Sequence, residues 1–173
     1  DEIVLQAINH DMVGGRVLFT DSTHLKANAN KHKYTRKTIA QDTQNYIKDL
    51  NEAIQEDREE HGKKPLTAKE EVKAEKEIRH STTDPESGYL YRENKPEGFF
   101  YLDHRTTDMK YNIITDAYVT PGNVHDSVPY LDRLDHQIAR FGFQVEAVAL
   151  DSGYLTTPIC KGLSDRQIFG VIA

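Results

Sequence analysis

The sequence predicts an α/β fold, a mixed sheet flanked by helices, with a helical insert between the first and second strands. Three observations carry this. Short apolar, β-branched runs recur with turn residues on either side, as buried strands require. One late segment repeats its apolar residues at helical spacing between two such runs. A long, charged stretch of helical character separates the first run from the others.

The elements follow in chain order. Arg16–Thr20 (RVLFT) after Gly14-Gly15 is a buried strand with Asp21 at its C-terminal end. Thr38–His61 places Ile39, Tyr46, Ile47, Leu50, Ala53 and Ile54 on one helical face, and Gly62 stops it. Thr67 opens T-A-K-E, a capping box whose Glu70 reaches back to start a helix running to about Arg79. These two helices dominate an acidic insert over residues 27–97. The runs FFYLDHRT and YNIITDAYV, joined by Thr107-Asp108-Met109-Lys110, predict a hairpin. Beyond Pro121-Gly122-Asn123, one of His125, Asp126 or Ser127 caps a helix with Val128, Leu131, Leu134, Ile138 and Phe141 on its face and Gly142 as its stop. VEAVAL is a buried strand ending at Asp151, Pro158–Leu163 a short helix, and IFGVIA a last strand.

A chain of 173 residues suffices for one domain with a proper core, here read as a single domain over residues 1–173. No apolar run approaches the roughly 18 residues of a membrane span, and no signal peptide opens the chain. Cys160 is the one cysteine, which excludes an internal disulfide and a cysteine-based zinc site. A cytoplasmic setting follows. The net charge of −6 argues mildly against nucleic acid, but the signs are segregated. Lys26, Lys31, Lys33, Arg36 and Lys37 have no acid among them, while acids crowd Asp49–Glu60 and Glu70–Glu77.

With the insert removed, the order strand, hairpin, helix, strand, helix, strand is that of a ribonuclease-H-like sheet. The first strand is then central, and the strand after the helix lies parallel beside it. Open α/β sheets bind ligands at the carboxyl ends of such strands. Asp21 and Asp151 would face each other there, and two carboxylates so placed call for a hard divalent cation, Mg²⁺ or Mn²⁺. The bland alternative is that each aspartate caps the turn after its strand.

Three blocks go further: FTDSTHLKANANKHK (Phe19–Lys33), YLDHRTTDMKYNIITDAYVTPGNVHDS (Tyr101–Ser127) and VALDSGY (Val148–Tyr154). Together, and in this order, they closely resemble bacterial insertion-sequence transposases of the DDE type. The resemblance spans most of the chain and is weakest over the acidic insert. It implies a ribonuclease-H-like catalytic core that cleaves DNA and transfers strands at transposon ends with two Mg²⁺ (or Mn²⁺) ions. It maps the first aspartate onto Asp21 and the second, before a Ser-Gly-Tyr turn, onto Asp151. The family's third acid, a glutamate in a Tyr-Arg-Glu type motif, does not occur before Ala173, and the family's N-terminal DNA-binding region is missing too. The expectation is therefore a fragment, inactive by itself. Implied partners are double-stranded DNA and further copies of the chain, in a bacterial cytoplasm and with no membrane.

His24, Lys26, Lys31, Lys33 and Arg36 are candidate contacts to DNA phosphate, against the alternatives of a structural histidine and a solvated loop. Tyr154 reads as a core residue, His125-Asp126 as a helix cap, and Asp103, Asp108 and Asp116 receive no catalytic role. Two rivals stand beside the transposase: a ribonuclease-H-like nuclease without strand transfer, and a non-catalytic DNA-binding or oligomerisation remnant.

Overall fold

The computed structural model describes residues 2–40, 55, 58–59, 62–64, 75–91 and 97–173. Its elements are α1 (Glu2–Asn9), β1 (Val17–Lys26), β2 (Tyr34–Ala40), β3 (Glu75–Ser81), β4 (Gly88–Leu90), β5 (Gly98–Asp108), β6 (Ile114–Pro121), α2 (Tyr130–Phe141), β7 (Ala147–Leu150), a 3₁₀ turn (Ser152–Tyr154), α3 (Thr157–Asp165) and β8 (Phe169–Ile172). The chain forms two compact units, one of Asp1–Tyr34 with His80–Ala173 and the other of Thr35–Arg79. No helix among the described residues is long and apolar enough to cross a membrane.

The larger unit is built on a six-stranded mixed sheet ordered β4-β5-β1-β7-β8, with β6 also on β5. β1 is antiparallel to β5 and parallel to β7, and β8 is parallel to β7. Alternation then gives the sheet two different faces. Leu18, Val148 and Leu150 point to one side and join Ala7 of α1, Tyr130 and Leu134 of α2, and Ile159 and Leu163 of α3 in the core. Phe19, Asp21 and Thr23 of β1 point to the other side, where Phe19 remains 40% exposed.

The helices end where local chemistry says they should. Gly142 adopts φ 69° and its N–H donates to the Ile138 carbonyl, closing α2 in the left-handed conformation that glycine tolerates best. Thr156 caps α3 by accepting from the Ile159 N–H, with Pro158 in the first turn, where its missing N–H costs nothing. Gln137 lies in the buried stripe of α2 because its amide is satisfied on both sides. It accepts from Thr115 Oγ1 at 2.8 Å and donates to the Arg133 carbonyl at 3.3 Å.

Several expectations need correction. β1 does not stop before Asp21; it runs to Lys26 because the long β5 continues to pair with it through Lys26↔Phe100. The insert is not mainly helical among its described residues. Thr38–Ala40 belong to β2, and Glu75–Arg79, expected as helix, belong to β3. These two segments pair as a two-stranded sheet, so tertiary pairing overrides a weak helical propensity. Gln55, Arg58 and Glu59 are helical, but most of the expected helix over Thr38–His61, and the capping box at Thr67–Glu70, lie outside the described residues. No side chain caps α2, whose N-cap is Pro129, and Val128 is 67% exposed. Asp126 is engaged elsewhere, as described next.

Candidate metal and nucleic-acid site

β7 ends its pairing with β1 at Thr20↔Leu150. The next residues on these neighbouring parallel strands are Asp21 and Asp151, at one level and about 4.8 Å apart in the sheet direction. They are level because they follow the last pair of the parallel register, although β1 itself runs on to Lys26. Both are exposed, and both border a groove of about 530 Å³ together with Phe19, Thr23, Asp103, Arg105 and Ala149. Asp21 accepts the Ser22 N–H at 2.7 Å, and Asp151 accepts the Gly153 N–H at 2.8 Å while capping the 3₁₀ turn. Among the described residues, no hydrogen bond engages the other oxygen of either carboxylate.

Among the described residues, no group of three His, Cys, Asp or Glu side chains is arranged to hold a metal ion. The two carboxylates nonetheless suit a hard cation, which one or two carboxylates can hold while it keeps several waters. The nearest cation does not compete for them. Arg105 is the cross-strand partner of Asp21, yet its guanidinium is taken by Asp103, through Nε at 2.8 Å and a second nitrogen at 2.7 Å.

Beneath the pair lies a residue that sequence reasoning assigned to a helix cap. Asp126 is 8% exposed and accepts the Ser22 hydroxyl at 2.7 Å. Its other oxygen faces Gly153: a Cβ there would sit 3.1 Å from Asp126 Oδ2 and 3.0 Å from Asp151 Oδ1. Tyr154 is 1% exposed and packs edge-on to Tyr130 at 5.3 Å, in line with its expected core role. Burial first, then the carboxylates of Asp126, Asp151 and Asp21, hold its phenol protonated well above the ordinary value of 10. No local pattern announces Asp126, since its partner Ser22 lies 104 residues away in sequence.

The remaining candidates separate. His24 shares the strand face of Ser22, opposite to Asp21, and meets Phe100 edge-on at 6.4 Å. Lys26, Lys31 and Lys33 are exposed in the larger unit. Arg36, in the smaller unit, meets Glu77 at 3.3 Å, so its charge is partly engaged. Three aspartates given no catalytic role are occupied. Asp108 accepts the backbone N–H groups of Gly14, Gly15 and Lys110 at 3.1, 2.8 and 2.9 Å. Asp116 pairs with Arg133, whose guanidinium also stacks 4.6 Å over the Tyr118 ring. Asp103 is the one of the three that borders the groove. Compared with protein-family models, curated proteins and solved structures, the chain finds no match.

Proposed function

We propose that this chain is part of the catalytic core of a DDE-type insertion-sequence transposase, a ribonuclease-H-like domain acting on double-stranded DNA in the bacterial cytoplasm. The observation that carries the reading is the placement of Asp21 and Asp151. Two exposed carboxylates stand level on adjacent parallel strands, bordering one groove, with no basic side chain among the described residues bound to either. The strand order around β1 and the three sequence blocks support the same reading.

In this reading Asp21 and Asp151 are two of the ligands for Mg²⁺ or Mn²⁺. The bound cation would activate a water or a DNA 3′-hydroxyl and stabilise the departing oxygen of a phosphodiester. The chain's own contribution is to hold the two carboxylates at fixed separation. One oxygen of each is anchored by a backbone N–H, and both residues border the groove. Lys26, Lys31 and Lys33 would track phosphate, with Arg36 a weaker contributor while Glu77 holds it. Transposition joins paired ends, so the working assembly contains more than one copy.

Titration of the chain with Mn²⁺, followed by electron paramagnetic resonance, tests the reading. Asp21→Asn and Asp151→Asn should each abolish tight binding. Mn²⁺ affinity unchanged in both variants would remove the assignment. If products form on supercoiled plasmid, they separate nicking alone from strand transfer; DNA binding that survives both substitutions, with no Mn²⁺ site between the two aspartates, favours the non-catalytic remnant.

A further inference from the structure

We propose that Asp126 is a positioning residue for the two-aspartate site, fixing the segments that carry Asp21 and Asp151 from the covered side of the sheet. The inference rests on the cation-site reading above. A carboxylate 8% exposed should be paired, hydrogen-bonded or near a cation. Asp126 forms no ion pair among the described residues; its bound donor is the Ser22 hydroxyl. Ser22 adjoins Asp21, so this bond ties β1 to the segment before α2. The other oxygen lies against Gly153, whose N–H holds Asp151. One side chain thus touches both carboxylate-bearing segments, and neither contact helps to cap α2.

An independent feature points to the same place. The hydroxyls of Tyr130 and Tyr154, residues 4% and 1% exposed, are buried beside Thr20 and Ser22 respectively. Both residues, with Thr20 and Asp126, line a cavity of about 10 Å³, the size of one water. The two phenols thus pack around Asp126 from below and extend the support of the site into the core. Buried polar groups of this kind orient ligating side chains, and their loss typically costs roughly 10- to 100-fold in metal affinity.

The test is Mn²⁺ binding by the full chain, read by electron paramagnetic resonance, with circular dichroism to verify folding. Asp126→Ala and Ser22→Ala should each weaken binding about ten-fold. Asp126→Asn keeps an oxygen for the Ser22 hydroxyl and should recover most of that loss. Wild-type affinity in Ser22→Ala and Asp126→Ala, with binding still abolished by Asp21→Asn, would overturn the positioning role and leave the cation site standing. Equal losses in Asp126→Asn and Asp126→Ala would also overturn it, because charge rather than the hydrogen bond would then matter. If Asp126→Ala does not fold, Ser22→Ala and Asp126→Asn decide. Mn²⁺ binding indifferent to Asp21→Asn and Asp151→Asn would bring down the cation site itself, and this inference with it.

Discussion

The two faces of the central sheet are made by alternate residues of the same strands, yet they obey different rules. On the covered face Leu18, Leu102 and Val148 are at most 1% exposed, and even its polar members are satisfied, as when Thr20 and Thr106 share a hydroxyl bond of 2.8 Å. On the open face Asp21, Arg105 and Asp151 stand in a groove beside a part-exposed Phe19. One face spends its residues on stability, whereas the other keeps charged groups at solvent where a ligand can reach them. The difference teaches that the period-two alternation, not the strand, is the unit of functional assignment here.

The sharpest way to break this comparison is to truncate neighbours on opposite faces. Leu18→Ala should destabilise by about 2–5 kcal/mol in chemical denaturation, because a fully buried side chain leaves a cavity. Phe19→Ala, one residue along, should cost clearly less; equal losses would mean that the open face is a second core. Next in size is Asp108→Ala. This carboxylate is 1% exposed and takes three backbone N–H groups, so its removal should cost about 2–3 kcal/mol. Asp21→Asn should leave the denaturation midpoint within about 0.5 kcal/mol of wild type while removing Mn²⁺ binding. A large stability loss in Asp21→Asn would make that aspartate structural after all.

Much of the larger unit was legible in the sequence because its signals are local. The hairpin, α2 with its Gly142 stop, β7, α3 and β8 each carry their own periodicity or cap. What escaped depended on distant partners. The continuation of β1 past Asp21 is set by β5, about eighty positions later. β3 (EKEIRHS) has little strand character by itself and is a strand through its pairing with β2. α1 was passed over although Val4 and Ala7 give it a buried face. For the site, Asp21 and Asp151 were found by strand ends and neighbouring wording, but Asp126 was assigned the commoner role for an aspartate before a helix. Its long-range bond to Ser22 leaves no trace in local spacing.

A gentler probe of the covered face is acid. His104 is 6% exposed, its ring bonded to Thr120 Oγ1 at 2.9 Å, and burial lowers its pKa below the ordinary 6.5, against a smaller opposing pull from Asp126 and Asp103. The unfolded chain therefore binds the proton more readily. The contribution of neutral His104 is complete above about pH 6.5 and is lost as pH falls below that value toward its folded pKa. His104→Gln should flatten this part of the stability profile, measured by urea denaturation from pH 7.5 to 5. An unchanged slope would place the titration on other histidines.

The smallest effect should come from the open face, at Arg105. Its side chain is 58% exposed and is bound to Asp103, directly across the ladder from Asp21. Because the Asp103 side chain is only 9% exposed, Arg105→Ala leaves a buried carboxylate without this partner and should cost about 1–3 kcal/mol in denaturation; the small effect is the one on cation binding. Its charge still acts on a cation in the groove. At about 10 Å in water-like surroundings the repulsion on a divalent cation is roughly 0.8 kcal/mol, so removing it should tighten Mn²⁺ binding about four-fold at low salt. The gain should vanish at 1 M salt, where the screening length is about 3 Å. A gain that persists in high salt would mean that Arg105 shapes the groove sterically. Weaker binding in Arg105→Ala would mean that the arginine orders Asp103 for the cation, which would bring a third carboxylate of this same face into the site.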